Sequence, residues 1–157
     1  MSDFTVRSAS PSDLAVLLKF EQGIVNAERP FDDTLKPDPI SYYDVAALIR
    51  SADAEVAVAE KDGRLIGSGY ARKKPARDYV AAEFLAFIGF LYVVPDMRGQ
   101  GVNQAVLDHL FEWARRQGLP EIHLTVYPEN ASALRAYQKS GFDPYILEMR
   151  LNLDEKS

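Results

Sequence analysis

The sequence predicts an α/β fold in one domain spanning residues 1–157, built on a mixed sheet with elements in the order βααβββαβαβ. Two observations carry that prediction. The Asp62-Gly63 pair separates two strand-like runs, Glu55 to Lys61 and Arg64 to Arg72, and Asp-Gly between such runs marks an antiparallel hairpin. Downstream, a long apolar strand ending at Val94 passes through a glycine-bearing turn into an amphipathic helix, and a second strand follows at 121–127. A strand, helix and strand in succession imply a parallel crossover.

The elements follow in order. Phe4 to Arg7 reads as a short strand, and Ser10-Pro11-Ser12-Asp13 as a helix start, with Ser10 as N-cap and Pro11 in the first helical position. Leu14, Leu17, Leu18 and Ile24 form that helix's apolar stripe. Pro30, Pro37 and Pro39 make residues 27–39 a loop. Ser41 is the expected cap of a second helix, with Val45, Leu48 and Ile49 facing inward. After the hairpin, the basic stretch Lys73 to Asp78 leads into the long strand, where Gly89 predicts a bulge or a close backbone approach. Val102, Val106, Leu110, Trp113 and Ala114 trace one face of the next helix, which Gly118 and Pro120 stop. A strand over Glu121 to Tyr127, a helix over Asn130 to Lys139 ended by Gly141, and a last strand over Tyr145 to Leu153 complete the order.

Composition narrows the functional classes. Hydrophobic residues make up 47% and charged residues 26%, a globular balance that sustains a core without staples. The chain has no cysteine, which excludes disulfides, thiolate metal sites and a cysteine nucleophile. A net charge of -5 disfavours nucleic acid and anionic membranes as partners. Met1 to Thr5 carry neither a basic start nor an apolar run, so no signal peptide is expected and the expected location is cytoplasmic.

The most informative segment is Phe90 to Asn103. Backbone N–H groups at the start of a helix lack intrahelical acceptors, and the helix dipole adds partial positive charge, so a strand–turn–helix of this kind cradles phosphate or pyrophosphate. Gly99 and Gly101 let the backbone approach such a group without a Cβ in the way, and Arg98 adds a permanent positive charge. A dinucleotide fingerprint is the rival reading, with Glu121 as its ribose-binding acid, but its third glycine falls on Gln104 and no second mononucleotide half follows. No Lys-Ser/Thr follows the turn, so it is not a P-loop.

Here the chain resembles the GNAT superfamily of acyl-CoA-dependent N-acetyltransferases. The first mark is Arg98, Gly101 and a final position, occupied here by Asn103, where the family has Gly or Ala. The second is Asn130, Tyr137 seven positions later, and then Gly141-Phe142. The resemblance implies a mostly antiparallel sheet, splayed at the coenzyme A site, with helices on both faces. It implies acetyl-CoA as cosubstrate, with Leu91, Tyr92 and Val93 along the pantetheine arm and Arg98, Gly99, Gln100, Gly101, Val102, Asn103 and Gln104 at the phosphates. It also implies Asn130 and Tyr137 in the coenzyme site, and Tyr137 as the acid that protonates the leaving thiolate. The expected acceptor is a primary amine of a small molecule or peptide, attacked directly.

The base is the open position. Family members place a Glu where this chain has Thr125 or Phe87, leaving Glu83, His123 or a water relay. The loop with Glu28, Arg29, Phe31, Asp32, Asp33 and Asp38 is acidic, which favours a cationic amine. Arg72, Lys73, Lys74 and Arg77 either attract the adenosine 3′-phosphate or form an exposed hairpin end. His109 and His123 have no evident carboxylate partner, and no metal is expected. Only about a dozen residues follow Gly141 before the polar tail, enough for one strand but not a final hairpin, and a homodimer could cover the edge left open. A catalytically idle acyl-CoA sensor or accessory subunit, and the transfer of a different acyl group, stand as alternatives.

Overall fold

The computed structural model describes residues 3–154. The chain divides into two units, Met1–Thr125 and Val126–Ser157. The first holds one sheet of strands β1 (Thr5–Ser8), β2 (Ala54–Lys61), β3 (Arg64–Pro75), β4 (Phe84–Val93) and β5 (Ile122–His123), side by side in chain order. The first three pairings are antiparallel and β4–β5 is parallel. This is the mixed, mostly antiparallel sheet expected. The hairpin turns at Asp62 and Gly63, both with positive φ, the backbone a tight two-residue turn demands.

Helices cover both faces. Helix α1 (Leu14–Glu28) and the short α2 (Val45–Arg50) lie on one, and α3 (Val102–Arg116) on the other. Alternation along β3 sorts the contacts. A Cβ on Gly69 would lie 2.8 Å from Val106 of α3, whereas the neighbouring Tyr70 meets Tyr43, just before α2, with ring centroids 5.3 Å apart. Only a residue without a side chain lets α3 sit this close to the strand. Ile66, Ile88 and Phe90 of the sheet and Leu17, Val25, Val102, Val106, Leu107 and Leu110 of the helices are almost fully buried.

Local capping follows the sequence in one helix and departs from it in another. Ser10 and Asp13 form a reciprocal capping box ahead of α1, with Pro11 inside the first turn. The cap of α2 is Asp44, whose carboxylate accepts from Ala47 N–H at 3.1 Å, not Ser41. The Ser41 hydroxyl turns instead to Glu21, a buried carboxylate of α1 that also accepts from the N–H groups of Tyr42 (2.8 Å) and Tyr43 (2.9 Å). A buried carboxylate needs such donors.

Asp13 also takes a two-pronged contact from Arg7, at 2.8 and 3.1 Å. The Arg7 hydrogen bonds hold its carboxyl below the ordinary value of 3.8. A carboxyl depressed by folding stabilises above its unfolded pKa and loses that contribution as pH falls through the folded one. Thermal melts in acid are therefore expected to show the wild type losing stability steeply below about pH 4, where the ordinary aspartate begins to protonate. Asp13→Asn is expected to be about 1–2 kcal/mol less stable at neutral pH and to lose less in that window, since Arg7 is partly exposed.

The last two predicted strands are corrected. The run over 121–127 forms a strand only at Ile122–His123, because its pairing with β4 stops at Ala86↔Ile122 and Phe87↔His123. In the second unit, helix α4 (Ala131–Lys139) forms as expected, but no strand forms over 145–153. Tyr145, Ile146, Leu147, Met149, Leu151 and Leu153 are all exposed. A strand needs a ladder partner for its N–H and C=O groups, and apolar alternation alone supplies none.

Candidate active site

The site is built on β4 and the turn that follows it. Ser68 pairs with Tyr92 across β3–β4, but Tyr70 pairs with Gly89, so Phe90 and Leu91 together oppose Gly69. This is a bulge, and Phe90 carries it with φ of 59°, an uncommon conformation for a bulky residue. The Ser68 hydroxyl donates to the Phe90 carbonyl at 3.0 Å inside the core. Gly89 also makes the close approach that its sequence position suggested: a Cβ there would lie 2.8 Å from the Tyr70 ring.

Beyond the bulge the two parallel strands part. β4 continues to Val93, while its last pairing with β5 is at Phe87. Val94 N–H donates to Ile66 C=O at 2.9 Å, so the two-residue period commits the main chain of Tyr92 to β3 and turns that of Leu91 and Val93 to the open edge. Of the three residues expected along an extended ligand, Leu91 and Val93 thus offer backbone groups. Tyr92 offers none there; its ring packs on Phe20 of α1, with centroids 4.9 Å apart, against Gly23.

The turn itself runs Pro95–Met97 in a 3-10 turn, then Arg98 to Gly101, then α3. Gly99 and Gly101 have φ of 77° and 84°, and no atom lies within 4 Å of a Cβ built on either. The first helical bond that reaches back to the cap is Ala105 N–H to Gly101 C=O, 3.1 Å. The N–H groups of Val102 and Asn103 precede it and face out of the helix end. Asn103 lies inside α3, so the left-handed positions are the two glycines and not the place where this chain departs from the family pattern. Arg98 is exposed and donates from Nε to the Val93 carbonyl at 3.0 Å, with its guanidinium 5.9 Å from the Tyr92 ring. The Gln100 amide donates to Asp96 C=O at 3.4 Å, and the Gln104 amide to Asp108 at 2.9 Å. Asp96 is itself paired to Arg64 at 2.9 Å, which ties the hairpin to the turn.

The second mark has a local structural meaning. Asn130 is the N-cap of α4, its side-chain oxygen accepting from Ala133 N–H at 3.3 Å. At the other end Gly141 has φ of 109°. Phe142 N–H donates to Tyr137 C=O at 3.0 Å and Gly141 N–H to Gln138 C=O at 3.1 Å, the paired bonds of a Schellman cap. The Tyr137 and Phe142 rings meet edge-on, 6.1 Å apart. The spacing of Asn, Tyr and Gly-Phe is therefore also the spacing of a helix capped at both ends.

The basic cluster stacks on aromatics, with Lys73 over Phe84 at 4.2 Å and Arg72 and Lys74 over Phe87 at 5.6 and 4.6 Å. Phe84 and Phe87 lie about 30 and 20 Å from Val93 along β4 at strand rise. The cluster therefore lies towards the end of β4 opposite the turn. Both histidines have carboxylate partners, contrary to the sequence reading: His109 meets Glu55 at 2.6 Å and His123 meets Glu121 at 2.8 Å. Among the described residues no group of three or more acidic, histidine or cysteine side chains could hold a metal, and no helix is long and apolar enough to cross a membrane.

Sequence reasoning placed Glu28 in a loop; it is the last residue of α1 and half-buried. Burial pushes its carboxyl above the ordinary value, and nearby Asp32 adds to that. The signal was present in the spacing, because Glu21 and Glu28 lie two helical turns apart on one face.

Comparisons with known proteins agree with this geometry. The sequence model of the acetyltransferase (GNAT) family matches residues 22–142. An aminoglycoside N(6′)-acetyltransferase type 1 from Stenotrophomonas maltophilia is 29% identical over 146 residues, covering 88% of this chain and 86% of its own. A mycothiol acetyltransferase from Thermomonospora curvata is 34% identical over 99 residues, which is 59% of this chain and 29% of that protein. A predicted acetyltransferase from Clostridium acetobutylicum, solved with acetyl-CoA, superposes with a TM-score of 0.73 at 18% identity over 96% of each chain. At that identity the superposition speaks for the fold.

Proposed function

The chain belongs to the acetyltransferase (GNAT) family, and on that premise we propose that it moves an acetyl group from acetyl-CoA to a primary amine of a small molecule or peptide. The observation that carries the reading is the open helix start at Gly99 to Gln104 beside the parted strands β4 and β5. The fit to coenzyme A is specific. Two left-handed glycines with clear space leave room for a diphosphate against the N–H groups of Val102 and Asn103, and the free edge at Leu91 and Val93 offers a ladder to an amide-bearing arm. Acetyl-CoA would supply the activated thioester.

The residues of this chain then have distinct tasks. Gly99, Gln100, Gly101, Val102, Asn103 and Gln104 hold the phosphates, and Arg98 swings from the Val93 carbonyl to add charge. Leu91 and Val93 align the arm, and a main-chain N–H of that parted edge stabilises the oxyanion. Tyr92 forms the wall towards α1. Tyr137 gives its hydroxyl proton to the departing sulfur, and Asn130 holds the helix that carries it. The acidic residues around 28–38 and the aminoglycoside enzyme among the relatives both favour a cationic amine. A catalytically idle acyl-CoA sensor or accessory subunit is the second reading, favoured by Thr125 and Phe87 at the two positions where the family resemblance implies an acid.

Calorimetric titration of coenzyme A into the protein is expected to give saturable heat at one site per chain. Silence in that titration defeats the proposal. Thiol release from acetyl-CoA, measured with and without kanamycin, spermidine or a free peptide N-terminus, then separates transferase from sensor: acceleration by an amine supports transfer.

A further inference from the structure

We propose that Arg72 and Lys74 receive a carboxylate of the acceptor, so that the amine acetylated here also carries an acidic group about 13 Å from its nitrogen. The inference rests on the transferase reading above and narrows its substrate class.

Strand register puts both cations on one side of the sheet. β3 pairs Tyr70, Arg72 and Lys74 with Gly89, Phe87 and Leu85 of β4, and alternate residues of a strand share a side. Tyr70 meets Tyr43 just before α2, so Arg72 and Lys74 stand on the side that carries α1 and α2. Both lie over the Phe87 ring, the guanidinium carbon 5.6 Å and Nζ 4.6 Å from its centroid. Phe87 is the last residue of β4 to pair with β5. The cations are therefore gathered at the closed root of the gap between those strands. Its free edge is reached at Leu91, four residues on and about 13 Å away at strand rise.

Their charge is not neutralised from within. Arg7, Arg29, Arg64 and Arg115 each hold a carboxylate, whereas Arg72 and Lys74 make no ion pair among the described residues. Glu121, which precedes β5 on the other side of Phe87, is taken up by His123 at 2.8 Å. Both cations are half-buried, and two like charges on one side of a strand repel each other. The Phe87 ring face offsets part of that cost. An anion seated between them removes the repulsion and gains charge-assisted hydrogen bonds from both. Arg72 offers a planar fork that matches a carboxylate, and Lys74 a compact charge beside it. The chain carries a net charge of -5, so this patch runs against its general bias and selects what a uniformly acidic surface would repel.

The separation sets the length of the guest. With its ammonium end at the parted edge and its carboxylate over Phe87, the acceptor is an extended zwitterion. A tetrapeptide with a free N-terminus has that span, at about 3.3–3.6 Å per residue. The acidic residues around 28–38 suit its cationic end.

The test compares tetra-alanine as the free acid with its C-terminal amide, two acceptors of one shape that differ by one charge, in thiol-release assays with acetyl-CoA. Kanamycin and spermidine serve as amines without an acid. Wild type is expected to prefer the free acid by about tenfold or more in kcat/KM, through a lower KM. Arg72→Gln and Lys74→Gln are each expected to bring that ratio close to one, and Arg72→Lys to keep part of it, with melting temperatures as in wild type. Lys73→Gln is the control, because its ammonium lies over Phe84 on the opposite side of the sheet and loss of the same charge there should leave the ratio intact. A wild type that uses kanamycin or spermidine but takes acid and amide equally, or takes neither, overturns the inference and leaves the transferase standing. Collapse of the ratio in Lys73→Gln as well overturns it too, since a diffuse field then does the selecting. Calorimetry with coenzyme A and its 3′-dephospho form identifies the other source of an anion: Arg72→Gln weakening the first and not the second assigns the pair to the coenzyme and overturns the acceptor assignment. A wild type that binds no coenzyme A, or releases no thiol with any of these amines, defeats the transferase reading and this inference with it.

Discussion

Replacing Tyr137 by Phe is expected to cut turnover by about 100-fold or more while changing coenzyme A affinity less than threefold. The hydroxyl and the ring of Tyr137 do different things. The ring meets Phe142 edge-on at 6.1 Å, and the residue's carbonyl closes the Schellman cap by accepting from Phe142 N–H. Phe keeps both, so α4 retains its two caps and the melting temperature should hold. What is lost, on the proposed mechanism, is the proton donor. A coenzyme A thiolate leaving without one has a higher barrier, and the deficit should shrink with a synthetic thioester whose thiol is more acidic. Equal turnover in Tyr137→Phe removes this residue from the mechanism.

The second large effect belongs to Gly101. Its φ of 84° is a conformation that a β-branched residue adopts only under strain, at a cost on the order of 1–3 kcal/mol. No neighbouring atom lies within 4 Å of a Cβ at this position, so packing gives no reason against a side chain. The objection is the backbone and the guest. Gly101→Val is expected to lower stability by that amount and to weaken coenzyme A binding by more than tenfold, because the new side chain enters the approach to the Val102 and Asn103 N–H groups. Gly118 supplies the control. It has φ of 72° and equally clear surroundings, but follows the other end of α3, about 22 Å away at helical rise. Gly118→Val should lose comparable stability and leave the calorimetric affinity untouched. If both variants bind coenzyme A as the wild type does, the turn is not the phosphate site.

Much of this was legible before any coordinates. The hairpin at Asp62-Gly63, the capping box at Ser10 and Asp13, the apolar face of α3 and the glycines ahead of it are each specified within a few residues. Local backbone preference and side-chain periodicity suffice for them. Gly89 was also readable as a sign of irregularity. The sequence could not say that Phe90 would carry the left-handed turn, since that depends on which residue of β3 stands opposite.

The misreadings differ in cause. Ser41 had the chemistry of a cap, but Glu21 lay within reach through space and Asp44 was better placed. His109 and His123 lacked a visible partner in the one case because Glu55 is 54 positions away, and in the other because strand alternation brings Glu121, two residues off, to the same side. Residues 145–153 alternate like a strand yet find no ladder. Glu21 and Glu55 come from distant parts of the chain, whereas Glu121 and Asp44 were local groups that the sequence pattern did not rank.

By itself, then, the sequence determined the strand, the glycine turn and the helix proposed to hold the phosphates, because positive φ and helix-end N–H groups are properties of neighbouring residues. Only the tertiary structure decided where β4 and β5 separate, which main-chain edges that exposes, and that Glu21 of α1 is buried against the backbone of Tyr42 and Tyr43. Those are relations between segments distant in the chain, set by register and packing, which no local pattern encodes.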